Sequence, residues 1–246
     1  MRLQGKTAIV TGAASGFGTG IARKFAAEGA RVIVADINQD AAARVAGEIG
    51  GLAVLADVAR DDSVAALALA AFTAFGRLDI LVNNAGITHL PAALEDVSEA
   101  DFDRVLAVNA KSVYLTARHI VPHMKANRAG VILNVASTAG VSPRPRLNWY
   151  NASKGWMITA TKAMAVELAP FGIRVNAINP VAGETPLLKS FLGEDTPEMR
   201  AKFLATIPLG RFSTPEDIGN AACFLCSDEA AMITGVAMEV DGGRCI

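Results

Sequence analysis

Tyr150 and Lys154 stand one helical turn apart in the stretch YNASK, shortly after Ser137, which ends the strand-like run VILNVAS. Residues four apart share a helix face. A phenol with an ordinary pKa near 10 stays protonated at neutral pH, and a cation beside it favours the phenolate. Oxidising a secondary alcohol removes a hydride from carbon and a proton from oxygen. Tyr150 is suited to take that proton as a general base, and to return it as an acid to a ketone oxygen. Bringing its pKa near neutrality takes about 4 kcal/mol of preferential phenolate stabilisation. Lys154, together with the positive charge of an oxidised nicotinamide, is the expected source. Ser137 is placed to hydrogen-bond the substrate oxygen and hold it in line. Such a Tyr–Lys pair is common on surface helices, so its meaning depends on a cofactor nearby.

The segment TGAASGFG, residues 11–18, directly follows the first apolar run and opens a helical pattern. Gly12 makes a tight turn, Gly16 offers bare backbone to a pyrophosphate, and Gly18 lets the helix pack closely on a sheet. Ser15 and Phe17 complete the loop, and the helix N-terminus favours negative charge. A glycine triplet alone is weak, but strand, loop and helix occur here in the order the motif requires. Asp36 closes the second apolar run, with Ile37 next to it. A carboxylate there accepts hydrogen bonds from the adenosine ribose and repels a 2′-phosphate, so NAD is the expected cofactor. The plainer reading of Asp36 is a turn acid before Asn38.

These residues need a scaffold. Apolar, β-branched runs at 6–10, 31–35, 51–56, 78–83, 130–136, 173–178 and 236–240 read as buried parallel strands. Helical patterns lie between them at 16–28, 39–48, 61–75, 99–126, 150–169 and 214–227. This alternation predicts an α/β fold over 1–246, a single domain with one doubly wound, mostly parallel sheet flanked by helices. The segment 181–212 is broken by three prolines and is not strand-like. A stretch of that length predicts a helical lid over a substrate site.

Composition narrows the partners. The 246 residues are 52% hydrophobic and 19% charged, with 23 basic against 24 acidic side chains. That balance offers no footprint for nucleic acid or an anionic membrane. No apolar stretch reaches the length of a membrane span, and the N-terminus lacks a signal-peptide pattern, so a cytoplasmic location is expected. Cys223 and Cys226 form C-x-x-C in an apolar helical run, and His119 and His123 lie four apart. Neither pair has further ligands nearby, and no metal is expected.

With TGAASGFG, NNAG at 83–86, Asn109, Ser137 and YNASK, the chain resembles the short-chain dehydrogenase/reductase family, from the glycine loop to the terminal EVDGG. The resemblance implies a catalytic set of Asn109, Ser137, Tyr150 and Lys154, with Asn109 organising a water that leads to the lysine. It further implies that Asp57 and Val58 meet the adenine, and that Asn84, Ala85 and Gly86 lie against the cofactor. Pro180, Gly183 and Thr185 flank the nicotinamide, with Tyr150 and Lys154 also touching the cofactor. Family members commonly form homotetramers through the helices at 99–126 and 150–169 and the last strand. Substrates of such an enzyme are small alcohols of the sugar, polyol or hydroxy-acid type, the alternative being 3-oxoacyl-(acyl-carrier-protein) reduction. A nucleotide-sensing protein of the same fold is a further reading, against which all four catalytic positions are filled.

Two positions depart from the family pattern. Val181 replaces a usual glycine, so it is expected in ordinary extended backbone, walling the substrate site. Phe17 is larger than the common aliphatic residue, which packing explains. In the loop SPRPRLNWY, Arg144 and Arg146 flank Pro145, with Leu147 beyond. Two guanidinium groups there suit a carboxylate, phosphate or sulfonate on the substrate, against the plainer reading of surface charge. His89 is expected to be solvent-exposed.

Overall fold

The computed structural model describes residues 1–246, the side chain of Leu192 excepted. Seven strands form one sheet: β1 (Thr7–Thr11), β2 (Arg31–Asp36), β3 (Leu52–Leu55), β4 (Ile80–Asn83), β5 (Gly130–Val135), β6 (Ile173–Pro180) and β7 (Ala237–Val240). Their order is β3-β2-β1-β4-β5-β6-β7, and every neighbouring pair is parallel. Strand bounds fall within two residues of the sequence reading.

The period of two along each strand divides the core between two faces. Ala8, Val10, Val32 and Val34 face one side, with Ile21, Phe25 and Val45 and, from the C-terminal part of the chain, Ile218 and Ala222. Ile9, Ile33, Leu81 and Ile132 face the other, against Leu67, Ala71, Ile120, Met124 and Leu168. The first layer carries α1 (Gly16–Ala27), α2 (Gln39–Ile49) and α9 (Pro215–Cys226). The second carries α3 (Asp61–Phe75), α5 (Ser112–Asn127) and α6 (Asn148–Leu168). Because both faces are covered, the central strands read as continuous apolar runs. Cys223 and Cys226 lie buried in the first layer.

Strand order reverses between β1 and β4, so the two loops that follow them diverge and leave a crevice above the carboxyl ends. The expected long helix over 99–126 runs unbroken, as α4 (Glu99–Leu106), a π-helical turn at Ala107–Lys111 and α5. Such a turn takes in one residue more than an α-helical turn and shifts the apolar stripe, but no residue type in the run marks where it falls. Asn109 lies inside this turn, fully buried. The segment after β6 carries two short helices, α7 (Leu188–Leu192) and α8 (Pro197–Leu204). Val181, Leu188, Phe203, Ile207 and Phe212 give it a small core of its own.

Candidate active site

A cleft of about 720 Å³ lies along the carboxyl ends of the strands. One end is built from the loop after β1. Gly16 turns with φ +55°, in the left-handed region, beneath Thr185. A Cβ on Gly18 would stand 2.2 Å from the Gly12 carbonyl oxygen, so only glycine lets α1 approach this closely. The first turn of α1 holds no acidic residue, and Ser15 at its N-cap makes no side-chain cap, which leaves its amides free for an anion. Asn84 donates to the carbonyls of Thr11 (2.8 Å) and Gly12 (3.0 Å), and its amide and that of Ala85 donate to Thr11 Oγ1. The NNAG turn therefore braces the glycine loop directly.

Asp36 sits at the edge of the cleft, accepting from the amides of Ala14 (3.0 Å) and Asn38 (2.9 Å). These bonds aim the carboxylate into the cleft beside exposed Ile37. Asp57 and Val58 line the same end. Bare helix amides, a close backbone turn and a carboxylate at the far edge fit a dinucleotide with free ribose hydroxyls. Asp36 fits a 2′-phosphate poorly. Of the expected cofactor residues, Gly12, Ser15, Gly16, Phe17, Asn84, Ala85, Gly86, Pro180, Gly183 and Thr185 line the cleft too; Gly18 lies behind it as a packing position.

At the middle of the cleft the positions expected to be catalytic converge. Ser137 lies just past β5 in extended backbone, and its oxygen accepts from the Ala139 amide at 3.0 Å. Ser137 lies close enough to the Tyr150 phenol to favour its ionised form. Lys154, one turn along α6, donates to the Val135 carbonyl at 2.9 Å, with its Nζ 5.9 Å from the Tyr150 ring centroid. Asn109 accepts from the Ile87 amide (2.9 Å) and donates to the Ile87 carbonyl (2.9 Å) and Ser153 Oγ (3.0 Å). Ser153 in turn donates to the Tyr150 carbonyl at 2.7 Å. A side chain at Gly86 would stand 3.2 Å from Lys154 Nζ and 3.5 Å from Asn109 Oδ1, so glycine keeps the space between them open.

The electrostatics differ from the sequence expectation. Burial pushes the Tyr150 phenol up to about 12, outweighing the opposing influence of nearby Ser137 and the field of Arg144. Burial also pulls the Lys154 ammonium down to about 8. Lys154 is engaged with a main-chain carbonyl, while the ring of Phe191 packs edge-on against Tyr150 at 5.1 Å and excludes water. In the chain alone the phenol therefore favours its protonated form, which a cation bound in the cleft would oppose.

Beyond Tyr150 the cleft becomes apolar, walled by Leu147, Val181, Leu187, Phe191 and Phe203. Val181 has no positive φ, as expected. Arg144 reaches into this end with Cζ 4.4 Å from the Phe203 centroid. Arg146 does not join it. It is exposed, turns with φ +68°, donates to the Pro91 carbonyl at 3.3 Å and lines no part of the cleft. The rigid Pro145 between them points the two side chains apart. His89 is also corrected: only 2% exposed, it is folded under the loop with Nδ1 2.8 Å from the Leu90 carbonyl oxygen.

Sequence reasoning missed Ser153, Phe191, Phe203 and a buried amide ladder. In the ladder Asn83 donates to Asn134 and Asn134 to Thr161, both at 2.9 Å. Asparagines inside otherwise apolar strand runs were the available signal for it. Nothing local marks Phe191 or Phe203, whose roles arise when the lid folds back.

Residues 12–244 match a sequence family described as enoyl-(acyl carrier protein) reductase. A 4-formylbenzenesulfonate dehydrogenase of Comamonas testosteroni is 49% identical over 252 aligned positions, covering 100% of both chains. A 3-oxoacyl-(acyl-carrier-protein) reductase of Thermotoga maritima is 41% identical, again over 100% of both. Among solved structures, a 3-ketoacyl-(acyl-carrier-protein) reductase of Brucella melitensis complexed with NADH superposes with TM-score 0.94 at 54% identity. That match covers 99% of this chain and 100% of the other.

Proposed function

The chain belongs to the short-chain dehydrogenase/reductase family, and from that premise we propose that it is an NAD-dependent oxidoreductase interconverting a secondary alcohol and a ketone. The observation that carries the reading is the convergence of Ser137, Tyr150 and Lys154 on a cleft whose other end is a glycine loop with an acidic edge. NAD, when bound, supplies the hydride acceptor. Gly16 and the first turn of α1 would hold its pyrophosphate, Asp36 its ribose, and Thr185 and Gly183 its amide end.

The protein's own residues handle the proton. Ser137 and Tyr150 clasp the alcohol oxygen between two hydroxyls, which fixes the carbinol carbon over the cleft floor. In oxidation Tyr150 takes the hydroxyl proton; in reduction the same phenol protonates the ketone oxygen. Lys154 is held at Val135, and the open space at Gly86 lets a water connect it with Asn109. The Asn109–Ser153–Tyr150 bonds hold the start of α6 against the π-helical turn, so the phenol is carried on a braced element.

A second reading, 3-oxoacyl-(acyl-carrier-protein) reduction, draws on the Thermotoga and Brucella relatives. Asp36 counts against it where the reductant is NADPH. The deciding experiment measures NADH formation across sugars, polyols, hydroxy acids and aryl alcohols, beside NADH and NADPH oxidation with a 3-oxoacyl thioester. Turnover of an alcohol class with NAD favoured supports the first reading. Turnover confined to the thioester, or faster with the phosphorylated cofactor, overturns it.

A cytoplasmic location and a homotetramer belong to the same proposal. Among the described residues no helix is long and apolar enough to cross a membrane. Trp156 and Val166 on α6 are 44% and 79% exposed in the single chain, where a partner helix would bury them. Size-exclusion chromatography with light scattering tests the assembly.

A further inference from the structure

Arg144 and Arg244 stand out among the half-buried arginines because neither has a carboxylate partner among the described residues. Arg211 pairs with Asp217, Arg200 with Asp195 and Arg23 with Glu48. Arg174 is half-buried, as they are, yet its guanidinium donates to the carbonyls of Leu225, Ser227 and Ile233. Arg144 and Arg244 have neither a carboxylate partner nor an acceptor for their guanidinium groups among the described residues, and Arg244 Nε is fully buried without one. Both charges nevertheless gather on one ring: Arg144 Cζ lies 4.4 Å and Arg244 Cζ 5.8 Å from the Phe203 centroid. They are close enough for each to feel the other's charge. Two like charges half out of water, with no counter-charge, are costly, and a bound anion relieves that cost.

The position of the pair says what sort of anion. Arg144 lines the cleft and its field reaches Tyr150. The walls between are Leu147, Val181, Phe191 and Phe203, which offer flat apolar surface and no polar group to recognise sugar hydroxyls. We propose that Arg144 and Arg244 form an oxyanion seat, so that the substrate is an alcohol or carbonyl compound with an apolar, ring-sized body ending in a carboxylate or sulfonate. The inference rests on the dehydrogenase reading for the reacting end of that molecule, and on the arginine pair for the other. Arg144, at the cleft wall, grips the oxyanion through its planar fork; Arg244, brought from the C-terminal turn, adds charge behind it.

The test separates the two ends. The NADH-loaded enzyme is titrated by calorimetry with para-toluenesulfonate, para-toluate and neutral para-methylacetophenone. Both anions are expected to bind about tenfold or more tighter than the neutral ketone. Arg144→Gln lowers that anion-to-neutral ratio about tenfold, Arg144→Lys lowers it less, and Arg244→Gln lowers it about threefold. Unchanged NADH affinity and melting temperature show that each variant is folded. A ratio near one in the wild type, or a ratio that survives both glutamine variants, overturns the seat. Oxidation of para-tolyl methyl carbinol with no gain from an anionic counterpart also overturns it, while leaving the dehydrogenase reading intact. Anion-selective binding with no alcohol oxidised by NAD has the opposite meaning: the seat stands and the dehydrogenase reading falls.

Discussion

The two ends of the cleft are made of different materials. The cofactor end is backbone: a glycine loop, bare helix amides and an NNAG turn tied by Asn84 to Thr11 and Gly12. The substrate end is side chain: Leu147 and Arg144 from one loop, Phe191 and Phe203 from the lid, with Arg244 behind them from the C-terminal turn. A backbone site tolerates almost no substitution because a new Cβ strikes main chain, whereas a side-chain site changes specificity by exchanging one group. The contrast teaches where chemistry is kept and where choice of substrate is made. Tyr150 stands at the join, touched by both.

Substitutions that act at the join have the largest expected effect. Tyr150→Phe keeps the ring packed on Phe191 and removes the proton carrier, so kcat should fall by about 10²–10⁴-fold. Calorimetry should show NAD affinity nearly unchanged. Equal loss of both would mean that the join is not a proton-transfer site but part of the cofactor end.

Next comes a break in the backbone end. Gly18→Ala places a methyl 2.2 Å from the Gly12 carbonyl oxygen. It should cost about 2–3 kcal/mol of stability in urea unfolding and weaken NAD binding sharply. If it is neutral, the backbone character assigned to this end is wrong.

Lys154→Met sharpens the comparison through pH. The folded ammonium titrates near 8, below its ordinary value, because burial disfavours the charge. The charged form is penalised in full below about pH 8, and the penalty disappears as pH rises through the unfolded value near 10.5. The methionine variant should therefore be more stable by about 1–3 kcal/mol at pH 7. Its advantage should shrink between pH 8 and 10.5, while turnover is lost at every pH. Thermal melts across that range check the sign; an advantage that grows with pH would contradict the burial account.

The smallest effect belongs to the edge. Asp36→Ala removes an acceptor at an exposed site. About tenfold weaker NAD binding is expected, with NADP binding improved by a similar factor. Retention of NAD preference, measured as kcat/KM for both cofactors, would move discrimination elsewhere in the loop.

Much of this was legible in the chain before folding. The apolar runs and their spacing located all seven strands: the five central ones are covered on both faces and admit little but apolar side chains, and the partly exposed edge strands β3 and β7 stay mostly apolar. The glycine loop and YNASK were readable because each is a local device, complete within one or two turns. Arg146 and His89 were not. Whether a loop arginine faces the cleft depends on how Pro145 divides it from Arg144, and His89 is buried by a segment that folds over it. The π-helical turn at Asn109 escaped for another reason: it inserts one residue into a turn, and no residue type in that run marks where the register shifts.

Sequence alone determined the sheet, and it singled out the glycine loop and the Tyr150–Lys154 pair as candidates, since periodicity, small residues and one helical turn are properties of neighbours in the chain. Tertiary structure decided the ionisation of that pair and the composition of the substrate end. Desolvation depends on what packs around a group, and here Ala139, Leu147 and the ring of Phe191 surround a phenol at residue 150 that burial raises. An unpaired charge likewise becomes visible only when every possible partner has been placed, which is why Arg144 and Arg244, one hundred residues apart, can be read together only in the folded chain.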